Sequence, residues 1–365
     1  MELFLLNDNL ERIAIVPEYE SLIWRTGLMT STADLKASTD CFADIDRASW
    51  LERSDSDTIL FVSKKSVTDV VGDRGAYLSA YDPVELLRRR VLFWTHNFGT
   101  ATTGMRREEI ITRLVAQAFS AQALANPDNR AIPFMNTMTN TNASSRYLNE
   151  RLTQQMSWGN IYERIESMLE GLPLRFFSRF NSQAKRVTPM LYEGVDRSQE
   201  VIVSTEHGDL FDIVYNFESV DRNTLGVVAG QGEGSDREVT VARDRTLSPH
   251  YGELWVDAND IGSEGEGGAV IPQAQVIAAL QARGIDKLHE QPCEHALTGT
   301  VSQKRYQYGI DYLVGDRIGY EAFGAVHNDV ISAVEEVFEG KLSRINITIG
   351  ATYPTVRQIL NRSMT

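Results

Sequence analysis

Short apolar runs broken by turn residues constrain this chain more than any other feature. Leu3 to Leu6 and Ile13 to Val16 are two such runs, separated by the hairpin-type signal Asn7-Asp8-Asn9. Thr58 to Ser63 is a third. The pattern returns after about residue 200, at Val201–Ser204, Leu210–Phe217, Leu225–Ala229, Glu238–Ala242, Leu254–Val256, Gln303–Tyr308 and Ile345–Ile349. In the last of these Ile345, Ile347 and Ile349 alternate, as a half-buried strand requires. None of these runs approaches the roughly 18–20 apolar residues that span a bilayer. The N-terminus lacks the basic start of a signal peptide, so synthesis in a cytoplasm without export is expected. The flanks of the chain therefore read as β.

The middle reads differently. Ile110, Ile111, Leu114, Val115, Ala118 and Phe119 recur at helical spacing. Asn160 and Glu163 form a capping box ahead of Ile161, Ile165, Met168 and Leu169, with Gly171 and Pro173 as stops. Between these helices Asn136 to Ser145 is rich in Asn, Thr and Ser and predicts an exposed loop. Two helices are predicted outside the middle. One starts at Asp82-Pro83, with Glu85 completing a capping box and Arg88-Arg89-Arg90 at its end. The other opens at Pro272 and ends near Gly284. Residues 330–339 fit either state, since Val330, Val334, Val337 and Phe338 share a helix face. The expected division is 1–90 and 195–365 as β units, the second with a small α+β subdomain, and a helix-rich insert at 91–194 whose polar loop turns it outward or toward a tip.

At 365 residues, 42% of them hydrophobic, the chain can bury its cores without staples. Cys41 and Cys293 are its only cysteines, which excludes a disulfide framework and leaves a single bridge open. Fifty acids against 36 basic residues give a net charge of −14. Such a chain lacks the electrostatic footprint of a nucleic-acid binder, yet suits nucleic acid that passes by without sticking.

The search for chemistry excludes more than it finds. Gly230 to Ser235 lacks the Gly-Lys of a phosphate loop, and Arg237 onward reads as a strand. Asp257 to Gly262 resembles the start of a calcium loop, but position five is Ile261 and position twelve Gly268. His289, Cys293 and His295 lie close together without the paired spacing of a zinc site. His207 and Asp209 flank Gly208, either as an acid/base pair or as an ordinary β-turn. Arg88 to Arg90 could meet phosphate or simply end a helix. No Gly-x-Ser-x-Gly occurs. No catalytic, cofactor or metal residue is assigned. Paired glycosidase carboxylates carry no local signature, so their lack of one says little.

Leu3–Leu6 with Asn9 and Ile13 to Trp24, Gly75–Leu78 with Leu86 to Arg90, and Arg130-Ala131-Ile132-Pro133 form the first part of a series of segments. Asn223 to Ser235 with Arg237, Glu253 to Asp260, Tyr308 to Asp316 and Tyr353-Pro354-Thr355 continue it. Together and in this order they resemble siphovirus tail-hub proteins, Tyr308 to Asp316 matching that family's Gly-x-Asp-Tyr-x-Leu-Gly-Asp element and Tyr353-Pro354-Thr355 its terminal Pro-Thr. The chain departs from the pattern at Asn259, where an Arg is usual, and at Val314, which interrupts Leu-Gly-Asp.

The resemblance implies a mainly β fold with two tail-tube-like β-barrel domains plus a helix-rich insert, similar to the central hub of contractile tails. It implies β structure for 330–339. It implies a homotrimer whose six barrels match a six-fold tail tube. The partners it implies are the distal tail ring, the tape-measure protein and tip or receptor-binding proteins, around a channel that DNA traverses. In that setting the role is structural, at the virion tail tip, in host attachment and genome ejection. Glu253, Asp257, Asp260, Glu264 and Glu266 become candidates for an acidic channel wall. Two competing functions are a tail-associated lysin and a glycan-binding adhesin. A lysin carries its lytic domain beyond the hub, and none is expected after Thr365. An adhesin wants clustered aromatics, whereas Trp24, Trp50, Trp94, Trp158 and Trp255 are scattered and read as core or rim.

Overall fold

A computed structural model describes residues 1–92, 95–99, 103–119, 131–140, 145–157, 159–218, 223–234, 237–243, 252–262, 271–289, 294–340 and 342–351. The fold is mainly β with large antiparallel sheets. It divides into two compact units, Met1–Val214 with Leu297–Gly350, and a smaller one within Tyr215–Ala296.

The larger unit opens with β1 (Leu3–Leu6), β2 (Arg12–Val16), β3 (Tyr19–Gly27) and β4 (Ser31–Ala37). Helix α1 (Phe42–Arg47) leads to β5 (Trp50–Arg53), β6 (Ile59–Val70) and β7 (Asp73–Tyr81). The first turn forms as predicted, with the Asn7 side chain accepting from the backbone of Asn9 and Glu11. Alternation then decides which side is buried. Leu22 and Trp24 of β3 and Ala33 and Leu35 of β4 pack with Leu78 and Ala80 of β7 and Leu3, Leu5 and Leu51. A 13-stranded sheet runs in the order Leu210–Glu218, Glu294–Val301, Leu342–Ala351, Ala325–Glu339, β3, β4, β7, β6, β5, β1, β2. Ile202–Ser204 and Arg317–Ala322 branch from it. The two ends of the chain thus share one sheet, through Ile23 opposite Val337 and Arg25 opposite Glu335.

Residues 330–339 belong to the strand Ala325–Glu339. Their helix-like spacing has a local cause. A bulge between Ile331 and Ala333 breaks the alternation, and Val334 and Val337 are then buried on opposite faces of the strand. Within 330–339 each face carries a buried residue, so the period-2 signal disappears.

Segment 91–194 holds the predicted helices α2 (Arg107–Phe119) and α4 (Ile161–Leu169), with a short α3 (Arg146–Asn149) between them. Asn160 caps α4 by accepting from the backbone of Tyr162 and Glu163. The helix-rich reading fails beyond Pro173, where Leu174–Asn181 and Arg186–Glu193 form a long hairpin. Leu174 to Ser178 are buried without alternation, so no strand period shows in the sequence. Ile110, Leu114, Ile165 and Leu191 share one core with Phe4, Leu6, Trp50 and Ile59.

Three further expectations need correction. Asn136 to Ser145 is not simply an exposed loop. Met138 is buried, Thr139–Asn140 pairs in parallel with Met190 and Leu191, and Ser145 caps α3 from a buried site. Gln303–Tyr308 is a turn region rather than a strand, because Gln303 accepts from the Tyr308 amide and Asp311 from the Gln307 amide. The strand lies one segment earlier, at Glu294–Val301. At Pro83–Arg89 the turn is a 3-10 helix, and only half of the predicted box forms. Asp82 caps Val84 and also accepts from Ser178, but its own amide bonds Ser31, while Glu85 pairs with Arg88. Burial pushes the Asp82 carboxyl up to about 6.

The smaller unit packs α5 (Gln273–His289) on a three-stranded sheet of Val239–Arg243, Leu225–Ala229 and Glu253–Asp257. Helix α5 does not stop near Gly284 but continues to His289. Gly284 lies where helix and sheet touch, and a Cβ there would sit 2.4 Å from the Ala242 Cβ and 2.6 Å from Val228 Cγ2. A glycine in a helix interior usually costs about 1 kcal/mol relative to alanine. Here close packing outweighs propensity, since overpacking costs about 1–3 kcal/mol. Gly284→Ala is expected to lower the denaturant midpoint of the smaller unit; a higher midpoint would show that the helix can shift off the sheet at no cost.

Candidate assembly surface

One face of the large sheet carries a continuous row of hydrogen-bonded polar side chains. Ser79 of β7 donates to Asp34 of β4 at 2.8 Å, and Arg25 of β3 donates to the other Asp34 oxygen at 2.6 Å. Arg25 also donates to Glu335 at 2.9 Å, and Asn346 donates to the second Glu335 oxygen at 3.0 Å. Thr300 ends the row by donating to the Asn346 carbonyl at 3.0 Å. These residues sit on β7, β4, β3, Ala325–Glu339, Leu342–Ala351 and Glu294–Val301, which are six consecutive strands of the sheet. Pairing across strands holds the register and satisfies each charged group on a half-exposed face.

A groove of about 470 Å³ opens over this row and shares Arg25, Glu335, Asn346 and Thr300 with it. Its lining is mainly polar, from Arg25, Asp212, Glu335, Asn346, Thr298, Thr300 and Thr348 with Ala333 and Gly299, while the side chains of Val334 and Ile347 are buried in the core. Asp212 adopts a left-handed backbone (φ 53°), unusual for a residue other than glycine. Two exposed apolar features accompany the groove in the larger unit. The hairpin turn after Arg317–Ala322 presents Phe323 at 72% exposure and Val326 at 64%. The far end of the β6–β7 hairpin presents Val67, Val70 and Val71. In the smaller unit Val241, Val227 and Trp255 lie side by side across three strands on the face away from α5, with Trp255 exposed.

Two buried ionic clusters hold the larger unit in shape. Asp316 is fully buried and accepts from Tyr192 at 2.5 Å, the Val195 amide at 2.8 Å, the Leu313 amide at 3.0 Å and Arg197 at 3.1 Å. Its motif therefore carries structure: Tyr312 is core, Asp311 caps a turn, and Gly315 takes φ 101°. Arg53, 5% exposed, donates to Asp55 and to both oxygens of Glu336, beneath the rings of Trp24 and Phe338. Burial works against its charge, yet the two carboxylates hold the guanidinium above its ordinary pKa.

The residues singled out from sequence are mostly bound into the fold. His207 and Asp209 do not pair: Gly208 makes a turn (φ 68°), and the Asp209 carboxylate accepts from Arg305 at 3.2 Å. Arg88 bonds Glu85 and stacks over the Tyr162 ring at 3.7 Å. Gly230 to Gly234 connects two strands, as its sequence suggests. Asp257 pairs with Arg237 and Asp260 with Arg283, so neither waits for a cation. Among the described residues no group of three or more His, Cys, Asp and Glu could hold a metal ion. Cys293, Glu264, Glu266, Trp94, Trp158, Arg130 and Tyr353 to Thr355 lie outside the described residues, as do the side chains of His289 and His295. Cys41 is a half-buried free thiol, and burial pushes its pKa up. Trp24 and Trp50 are core, while Trp255 is surface. Sequence reading missed the polar row altogether, since Arg25 and Glu335 stand 310 residues apart.

Comparison with known proteins gives three findings. The family described as Siphovirus ReqiPepy6 Gp37-like protein matches residues 2–351. No curated protein matches. Three similar solved structures share the fold at low identity. A tail protein from Neisseria meningitidis MC58 has a TM-score of 0.61 at 11% identity, covering 95% of each chain. The 43 kDa tail protein of prophage MuSo2 from Shewanella oneidensis has 0.58 at 12%, covering 96% of this chain and 98% of the other. Prophage tail protein gp18 from Listeria monocytogenes EGD-e has 0.56 at 12%, covering 100% and 98%.

Proposed function

We propose that this chain, which belongs to the Siphovirus ReqiPepy6 Gp37-like protein family, is the structural hub at the distal end of a long phage tail. Its fold is that of phage tail proteins, and a tail structural role follows from the family and the fold together. The finer reading is that three copies form a ring, with two tube-like barrels in each copy facing a six-fold tube. The distal tail ring, the tape-measure protein and the tip or receptor-binding proteins are the partners on its two sides. The virion tail tip is its place, and its work there is assembly, attachment and passage of the genome rather than catalysis.

The observation that best supports an assembly role is the unfinished sheet. Its path ends at Leu210–Glu218 and at β2, each hydrogen-bonded to one neighbouring strand among the described residues. Proteins do not leave long edges bare without a device to block unwanted pairing, and closure by other copies is one such device. The net charge of −14 suits a channel that must not bind phosphate. Of the five acids expected on its wall, Asp257 and Asp260 are neutralised by arginines, so Glu253 is the better contributor among the described residues. Native mass spectrometry of the concentrated chain, together with its copy number in imaged tails, tests the reading. Three copies at the distal end are expected; any other number removes the ring.

A further inference from the structure

We propose that residues 352–365 of the chain dock on the bare face of the smaller unit's sheet, with Val356, Ile359 and Leu360 set against Val227, Val241 and Trp255.

The face is made by alternate residues of three strands. Val228, Ala242 and Val256 turn to one side and form a core with Val276 and Leu280 of α5. Val227, Val241 and Trp255 stand level on the other side. Val239 follows Val241 along the same face, at 48% exposure, with Val241 at 50% and Trp255 at 60%. Single apolar residues on a surface are ordinary, whereas neighbours on three adjacent strands make a patch, and a patch marks an interaction site. A sheet that is apolar on both sides needs a layer on each, and α5 supplies one of them.

The segment has the composition to supply the other. Val356, Ile359, Leu360 and Met364 recur at helical spacing, with Arg357 and Arg362 flanking the apolar stripe. A helix this short is marginal in water and gains its stability by laying an apolar face on a surface. Charge favours the same pairing. Residues 215–296 hold 14 acidic and six basic side chains, whereas the segment has two arginines and no acidic side chain. On the face itself Arg237 and Asp257 pair with each other. Glu253 is exposed and has no ion-pair partner among the described residues, and it lies on the far strand of the sheet from Arg243. An arginine of the segment can take Glu253 as its partner.

Chain continuity points to this occupant as well. Leu342–Ala351, which leads into the segment, lies beside Glu294–Val301, the strand that follows the smaller unit in the chain. Fourteen residues follow Ala351, and an extended residue spans about 3.3–3.6 Å. A tether of that length keeps the stripe at high effective concentration, so a modest apolar contact is enough to hold it.

Two measurements on the full chain test this, one from each side of the contact. Trypsin cleavage at Arg357 and Arg362, followed by intact mass, is expected to be about tenfold slower in the wild type than in Trp255→Ser, because a docked segment is cut only while it is released. Trp255 is exposed on the sheet, so the variant keeps its fold. Hydroxyl-radical footprinting reads Trp255 directly, and Ile359→Asp with Leu360→Asp should raise its oxidation severalfold. Equal cleavage in wild type and Trp255→Ser, or equal oxidation with and without the two aspartates, would overturn the contact. Protection that grows with chain concentration would overturn it in favour of a neighbouring copy's segment. Trp255 oxidised freely in the isolated chain but protected in the assembled tail would overturn it in favour of another tail protein. None of these results depends on copy number, so the hub reading is tested separately.

Discussion

Asp316→Ala is expected to lower the stability of the larger unit by about 3–5 kcal/mol. The carboxylate is fully buried and collects four donors: the backbone of Val195 and Leu313, the Tyr192 hydroxyl and Arg197. Truncation strands all four, and each buried unsatisfied donor costs about 1–3 kcal/mol, less whatever water recovers. The effect is not confined to one loop. Val195 and Arg197 lead into Ile202–Ser204, and Asp316 opens Arg317–Ala322, so the pairing of those two strands depends on the cluster. Asp316→Asn keeps the shape but offers one acceptor oxygen in place of two, and should fall between wild type and alanine. Denaturant unfolding followed by the fluorescence of buried Trp24 and Trp50 reads the larger unit. A midpoint within experimental error of wild type for Asp316→Ala would show that the motif is not the clamp described.

Arg53→Ala should be nearly as damaging, by about 3–5 kcal/mol, for a different reason. Here the loss leaves a charge. Glu336 is only 13% exposed in its side chain and answers to Arg53 through two hydrogen bonds. Burying an unpaired carboxylate costs far more than the pair contributes. The contrast lies in the double change. Arg53→Met with Glu336→Gln removes both charges while keeping volume, and should recover more than half of the loss. Failure to recover would mean that the cation over Trp24 and Phe338, rather than the ion pair, supplies the stability. Both variants act where the N-terminal strands meet Ala325–Glu339, so they also report how tightly the two ends of the chain hold each other.

Elements whose signal is local were legible in the sequence. The Asn7 turn, the α4 cap at Asn160 and the spacing of α2 each depend on residues within a few positions, and each formed as read. The resemblance carried further than the pattern at 330–339, where a bulge and buried residues on both faces hide a strand from any periodicity. Gly284 shows the same limit in a helix. By itself it reads as a stop, but with Ala242 and Val228 against it the residue becomes a packing requirement. The candidate surface was the least legible part. A row of side chains from Ser79 to Thr300 and Asn346 exists because six strands drawn from both ends of the chain lie in one order. Composition and local spacing therefore determined the β class, the helices and the lack of a local catalytic motif. Which strands are neighbours, and hence which polar groups meet and which apolar tips stay bare, only the tertiary structure decided, because burial and strand pairing are long-range properties that no window of sequence contains.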